Sequence, residues 1–70
     1  MRIWKRKNYI VREQEHDYDL HCFVVEVEGK EDQIIYPGDL KSMREIITAL
    51  DNGEDVDGWE DGMGNTIYTE

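Results

Sequence analysis

The sequence predicts an α+β fold, a small antiparallel β-sheet in the chain order β-β-β-α-β-β with one amphipathic helix packed on one face. Three observations lead there. The run LHCFVVEVEG at 20–29 alternates with period two, the run GDLKSMREIITALDNG at 38–53 repeats apolar residues at helical spacing, and turn-forming residues sit between the periodic runs.

Ile3 to Arg12, IWKRKNYIVR, mixes aromatic and β-branched residues with closely spaced charges, which suits a strand better than an amphipathic helix. The polar stretch EQEHDYD at 13–19 reads as the turn or loop that follows. In the second strand His21, Phe23, Val25 and Val27 point to one face, and Leu20, Cys22, Val24, Glu26 and Glu28 to the other. The face bearing Phe23, Val25 and Val27 is the candidate core. A hairpin reversing near residues 16 and 17 would set Lys5 opposite Glu28 and Lys7 opposite Glu26, so the basic strand would be partly neutralised by its neighbour.

GKED at 29–32 carries turn residues, and QIIYP reads as a short third strand stopped by Pro37, which donates no ladder hydrogen bond. Ile34 and Tyr36 would extend the apolar face. In the helix, Leu40, Met43, Ile46, Ile47 and Leu50 form one stripe while Lys41, Arg44, Glu45 and Asp51 fall elsewhere on the wheel. Asp39 can cap its start, or Ser42 with Glu45 can form a capping box one turn later, and Asn52-Gly53 supplies a left-handed stop. Val56 to Glu60 and Thr66 to Thr69 then read as two short strands around DGMGN, whose glycines permit the positive φ of a tight reversal.

No repeat, low-complexity tract or linker divides the 70 residues, so residues 1–70 are read as a single small acidic domain. That length lies near the lower limit at which a core offsets the entropy of folding without cross-links. Cys22 is alone, so no disulfide forms within the chain, and a reducing, cytoplasmic setting is the expectation. The basic opening MRIWKRKNYIVREQE precedes no apolar run of signal-peptide length, and no stretch approaches a membrane span.

Net charge is −9, but its distribution is more informative than its total. Residues 1–12 carry Arg2, Lys5, Arg6, Lys7 and Arg12 with no acid, residues 13–44 carry nine acids against three bases, and residues 45–70 carry eight acids and no base. Such a surface repels phosphates over most of its area, so direct nucleic-acid binding would have to rest on the first dozen residues. A cationic protein partner is the simpler inference.

One serine, one cysteine and two histidines leave little for nucleophilic catalysis, and Ser42 and Cys22 are accounted for as helix and strand residues. The expectation is a binding protein, not an enzyme, with no cofactor. His16, His21 and Cys22 could in principle supply zinc ligands, but strand alternation sends adjacent His21 and Cys22 to opposite faces. An EF-hand loop fails as well. With Gly62 at its sixth position, Asp57 and Asp61 fall on the first and fifth, but Trp59 falls on the third and Tyr68 on the twelfth, where a bidentate glutamate is needed. An irregular cation site would use Asp55, Asp57 and Asp61.

Trp59 poses a conflict, because alternation puts it on the same face as Asp55, Asp57 and Asp61. Burying the ring would draw Asp57 inward, whereas exposing the aspartates would expose the ring as a contact residue, and a bulge at Gly58 would resolve the conflict towards burial. The leading functional expectation is a small acidic protein that modulates or inhibits a partner with a basic surface. One form of it is a nucleic-acid mimic whose carboxylates imitate phosphates, as in phage or mobile-element antagonists of host defence. The expected contact residues are Glu54, Asp55, Asp57, Trp59, Glu60 and Asp61. The alternatives are an acidic interaction or regulatory module without mimicry and an irregular divalent-cation module.

Overall fold

The computed structural model describes residues 1–70 as a four-stranded antiparallel sheet followed by one helix. The elements are β1 (Ile3–Lys5), β2 (Tyr9–Asp17), β3 (Leu20–Val27), β4 (Gln33–Ile35) and α1 (Leu40–Asp51), and the strands lie side by side in chain order. All four strands thus precede the helix, which corrects the expected β-β-β-α-β-β order. After α1 there is only an isolated bridge between Glu60 and Thr66, so the two C-terminal strands expected at 56–60 and 66–69 are not formed.

The expected first strand is two strands. The chain reverses at Arg6–Asn8, closed by the Arg6 amide donating to the Tyr9 carbonyl at 2.9 Å, so that Trp4 pairs with Val11 and Lys5 with Ile10. Tyr9 then pairs with Val27 and Ile10 with Glu26, which removes the expected Lys5–Glu28 and Lys7–Glu26 pairs. It is Arg12 that reaches Glu26, through Nε at 2.9 Å. Nor is EQEHDYD a loop: β2 runs on to Asp17 and the chain reverses through Tyr18 and Asp19, with a register shift between Glu15 and Asp17.

This register sends Trp4, Tyr9, Val11, Phe23, Val25 and Val27 to one face, and Ile35 joins them because it pairs directly with Phe23. The expectation for Ile34 and Tyr36 was therefore off by one position. Ile34 pairs with Val24 on the other face, and Tyr36 rests its ring 5.1 Å from that of His16. Leu50, Val56 and Ile67 complete the core, with Met43, Ile46, Ile47 and Trp59 packed against it. Trp4 and Phe23 meet at 6.0 Å with planes tilted by 51°, a favourable aromatic geometry. Full burial of side chains such as Phe23, Val11 and Val25 contributes about 1.5–3 kcal/mol each. Cys22 and Val24 are also buried, on the opposite face.

Asp39 is the N-cap: its backbone is extended and its carboxylate accepts from the Ser42 amide at 2.8 Å. That bond also holds its pKa below the usual aspartate value. At the other end Gly53 adopts φ +85° just beyond the Asn52 cap. Two N-terminal side chains then fasten this end to the sheet. Arg6 donates to the carbonyls of Leu50 at 2.9 Å and Glu54 at 3.1 Å, placing a cation at the negative end of the helix dipole, and the Trp4 indole N–H donates to Asp51 at 2.8 Å. No helix is long and apolar enough to cross a membrane.

Candidate functional site

Residues 54–70 wrap back over the sheet as a loop with almost no regular structure, and their backbone needs partners from elsewhere. Aspartates supply many of them. Asp55 Oδ1 accepts from the Tyr9 hydroxyl at 2.7 Å and from the Asp57 amide at 3.1 Å. Asp57 Oδ1 accepts from the Thr69 amide at 2.9 Å and from its hydroxyl at 3.3 Å, while Asp61 Oδ1 accepts from the amides of Met63 at 2.7 Å and Asn65 at 3.0 Å. Bonds of this type favour the ionised form. The Tyr9 hydroxyl, with the Asp57 amide behind it, holds Asp55 below the usual aspartate range, and the Asn65 and Met63 amides do the same for Asp61.

The conflict at Trp59 is resolved by a turn, not by a strand bulge. The Trp59 amide donates to the Val56 carbonyl at 3.0 Å, with Asp57 and Gly58 as the central pair and Gly58 at φ +89°. Strict alternation is broken there, so Val56 is buried, Asp57 is exposed and Trp59 returns half-buried against the core. Asp61 is buried at the next turn, where its carbonyl accepts from the Tyr36 amide at 2.8 Å. Of the six expected contact residues, Glu54 and Glu60 thus stand exposed with no side-chain hydrogen bond, Asp55 and Asp57 are exposed but tethered, and Trp59 and Asp61 are largely withdrawn.

Charge pairing is sparse. Three ion pairs occur, Arg2–Glu13, Arg12–Glu26 and His21–Glu13, so only Glu13 and Glu26 among the 17 acids have a cationic partner. None of the eight acids in residues 45–70 has an ion-pair partner, and Arg6 acts on Asp55 only from a longer range. No group of three or more His, Cys, Asp or Glu side chains is gathered as metal ligands would be. Asp55, Asp57 and Asp61 bond to separate parts of the fold instead.

Two features lay outside the sequence reading. Glu13 is buried between Arg2, whose amide reaches it at 3.1 Å, and His21 Nδ1 at 2.8 Å. Burial pushes its carboxyl upward, but the His21 bond and the Arg2 amide outweigh this and hold it below the usual glutamate value. Tyr18, at the β2–β3 turn, is 94% exposed with φ +46°. The available signal was a Tyr-Asp pair between two alternating runs with no glycine, a reversal in which an aromatic residue takes a strained position. Among known proteins, the chain matches no family model, no curated protein and no solved structure.

Proposed function

We propose that this chain is a small acidic binding protein that modulates or inhibits a partner with a basic surface, presenting the loop at 54–61 as a negatively charged face. The observation that carries this is the absence of any ion-pair partner for the eight acids of residues 45–70. Unneutralised carboxylates project a negative field that steers a cationic partner into contact. Further support comes from their tethering, since Asp55 and Asp57 are fixed through Oδ1 by backbone and hydroxyl donors. Fixed charges need less ordering on binding than freely rotating ones. In the mimic form of the proposal these carboxylates stand where the phosphates of a nucleic acid would lie.

The test is retrieval of a partner from the source cells at low salt and at about 0.5 M salt, where screening confines charge interactions to a few ångströms. The partner should be lost at high salt and should bind the Glu54→Lys, Glu60→Lys double variant with a markedly slower on-rate. Glu45→Lys on α1 should do much less. Displacement of the chain by duplex DNA would support mimicry, whereas simultaneous binding of both would favour acidic docking without it. An on-rate unchanged in the double variant, with the fold intact by circular dichroism, would remove the loop from consideration.

A further inference from the structure

We propose that the groove between the β2–β3 turn and the first turn of α1 docks an arginine- or lysine-bearing peptide segment of a protein partner, with Tyr18 as its aromatic contact; this rests on the basic-partner reading above and gives it a second surface. The groove is about 640 Å³, a size that accepts a few side chains. Its apolar lining is Tyr18, Leu20 and Leu40, and its polar rim is Asp17, Asp19 and Asp39 against the single cation Lys41.

Tyr18 is the decisive residue. A two-residue reversal that requires positive φ is most easily filled by glycine, asparagine or aspartate, and tyrosine at φ +46° is strained there. Packing within the chain does not repay that strain, because the residue is 94% exposed. Leu40 lies across the groove with 41% exposure, although it belongs to the helix stripe that elsewhere packs on the core. An exposed ring beside an exposed leucine is the composition of a contact site, where aromatic anchors carry much of the affinity.

Charge selects the occupant. The rim carries three carboxylates and one ammonium. Asp39 is engaged as the helix cap by the Ser42 amide, whereas Asp17 and Asp19 have neither an ion-pair partner nor a side-chain hydrogen bond and are the charges left for an occupant. An arginine or lysine satisfies both parts of this lining at once: its aliphatic stem lies along Leu20 and Leu40, and its cationic head meets the ring face and the carboxylates. An anionic or purely aliphatic segment satisfies only one part or neither.

The experiment is a titration of the isotope-labelled protein with a short synthetic peptide of alternating arginine and leucine at low salt, followed by amide chemical shifts. Shifts should concentrate at Tyr18, Asp19, Leu20 and Leu40, and the matching glutamate-leucine peptide should cause none. Tyr18→Gly should weaken binding by about tenfold or more without lowering Tm, because glycine relieves the turn as it removes the ring. Tyr18→Asn, which also tolerates positive φ, should weaken binding equally, and Tyr18→Phe should retain it. Shifts confined to Glu54–Asp61, with Tyr18→Gly and Tyr18→Asn both neutral, would overturn this inference and leave the basic-partner reading standing. An absence of shifts anywhere would overturn both.

Discussion

Tyr9 donates its hydroxyl to Asp55 Oδ1 at 2.7 Å, fastening β2 to the acidic loop 46 residues further along the chain. The same hydroxyl accepts from the Val56 amide at 3.2 Å, and burial raises its pKa, which keeps it protonated as a donor. Tyr9→Phe should therefore orphan the buried Val56 amide, while Asp55 Oδ1 keeps its bond from the Asp57 amide, at a cost of about 1–3 kcal/mol in urea unfolding at neutral pH. Tyr68→Phe, on an exposed ring, should stay within about 0.5 kcal/mol of the parent. Equal effects of the two would show that the Tyr9 bonds do not hold the loop.

Acid should loosen the loop for a related reason. Asp55 and Asp61 have pKa values lowered from 3.8, so the stability they contribute is fully present above that value and is lost as pH falls through the lowered folded-state values. Thermal unfolding followed between pH 5 and 2 should show a falling Tm in the parent. The fall should be shallower in Asp61→Asn, whose starting Tm at pH 5 should already be lower. A parallel fall in parent and variant would remove Asp61 from the acid response.

Two neighbouring glycines should respond very differently to substitution. A Cβ at Gly62 would collide with the Tyr36 carbonyl oxygen, and φ is +84°, so Gly62→Ala should cost several kcal/mol, about 3 or more, because backbone must move. Gly64 has φ +90° but open space around it, so Gly64→Ala should cost only about 1–2 kcal/mol from the backbone conformation alone. Chemical denaturation of the pair reads the difference directly, and similar losses would mean the Gly62–Tyr36 approach is not tight in solution.

Millimolar calcium should leave Tm within about 1 °C, because Asp55, Asp57 and Asp61 are committed to separate donors and do not converge. A rise of many degrees, abolished by Asp57→Asn, would establish a cation site and displace the acidic-docking proposal.

The helix was legible in the sequence because its apolar stripe and its Asp39 cap are local signals that the tertiary fold leaves in place. The strand count was less accessible. Arg6-Lys7-Asn8 reverses the chain without glycine or proline, so IWKRKNYIVR reads as one strand, and the extra reversal shifts every pairing after it. Ile34 and Ile35 are adjacent and equally apolar, and only the pairing of Ile35 with Phe23 decides which one faces the core. In the loop, the acids were plain in the composition, but their division into tethered Asp55, Asp57 and Asp61 and free Glu54 and Glu60 depends on partners as distant in sequence as Tyr9. Tyr18 had the weakest signal, since a turn without glycine resembles a loop in any polar stretch.

Gln33 has a consequence beyond the loop it holds. Its side-chain amide donates to the Tyr68 carbonyl at 2.6 Å and accepts from the Tyr68 amide at 2.9 Å, the two bonds that a neighbouring strand would make. With the Tyr36 amide also donating to the Asp61 carbonyl, residues after α1 are seated along the outer border of β4. Open strand borders recruit other molecules into extended sheets, and proteins commonly guard them with charge, bulges or short strands. Here one glutamine acts as a peptide surrogate that seats Tyr68 beside β4, so Gln33→Ala should leave that border more open to templated self-association.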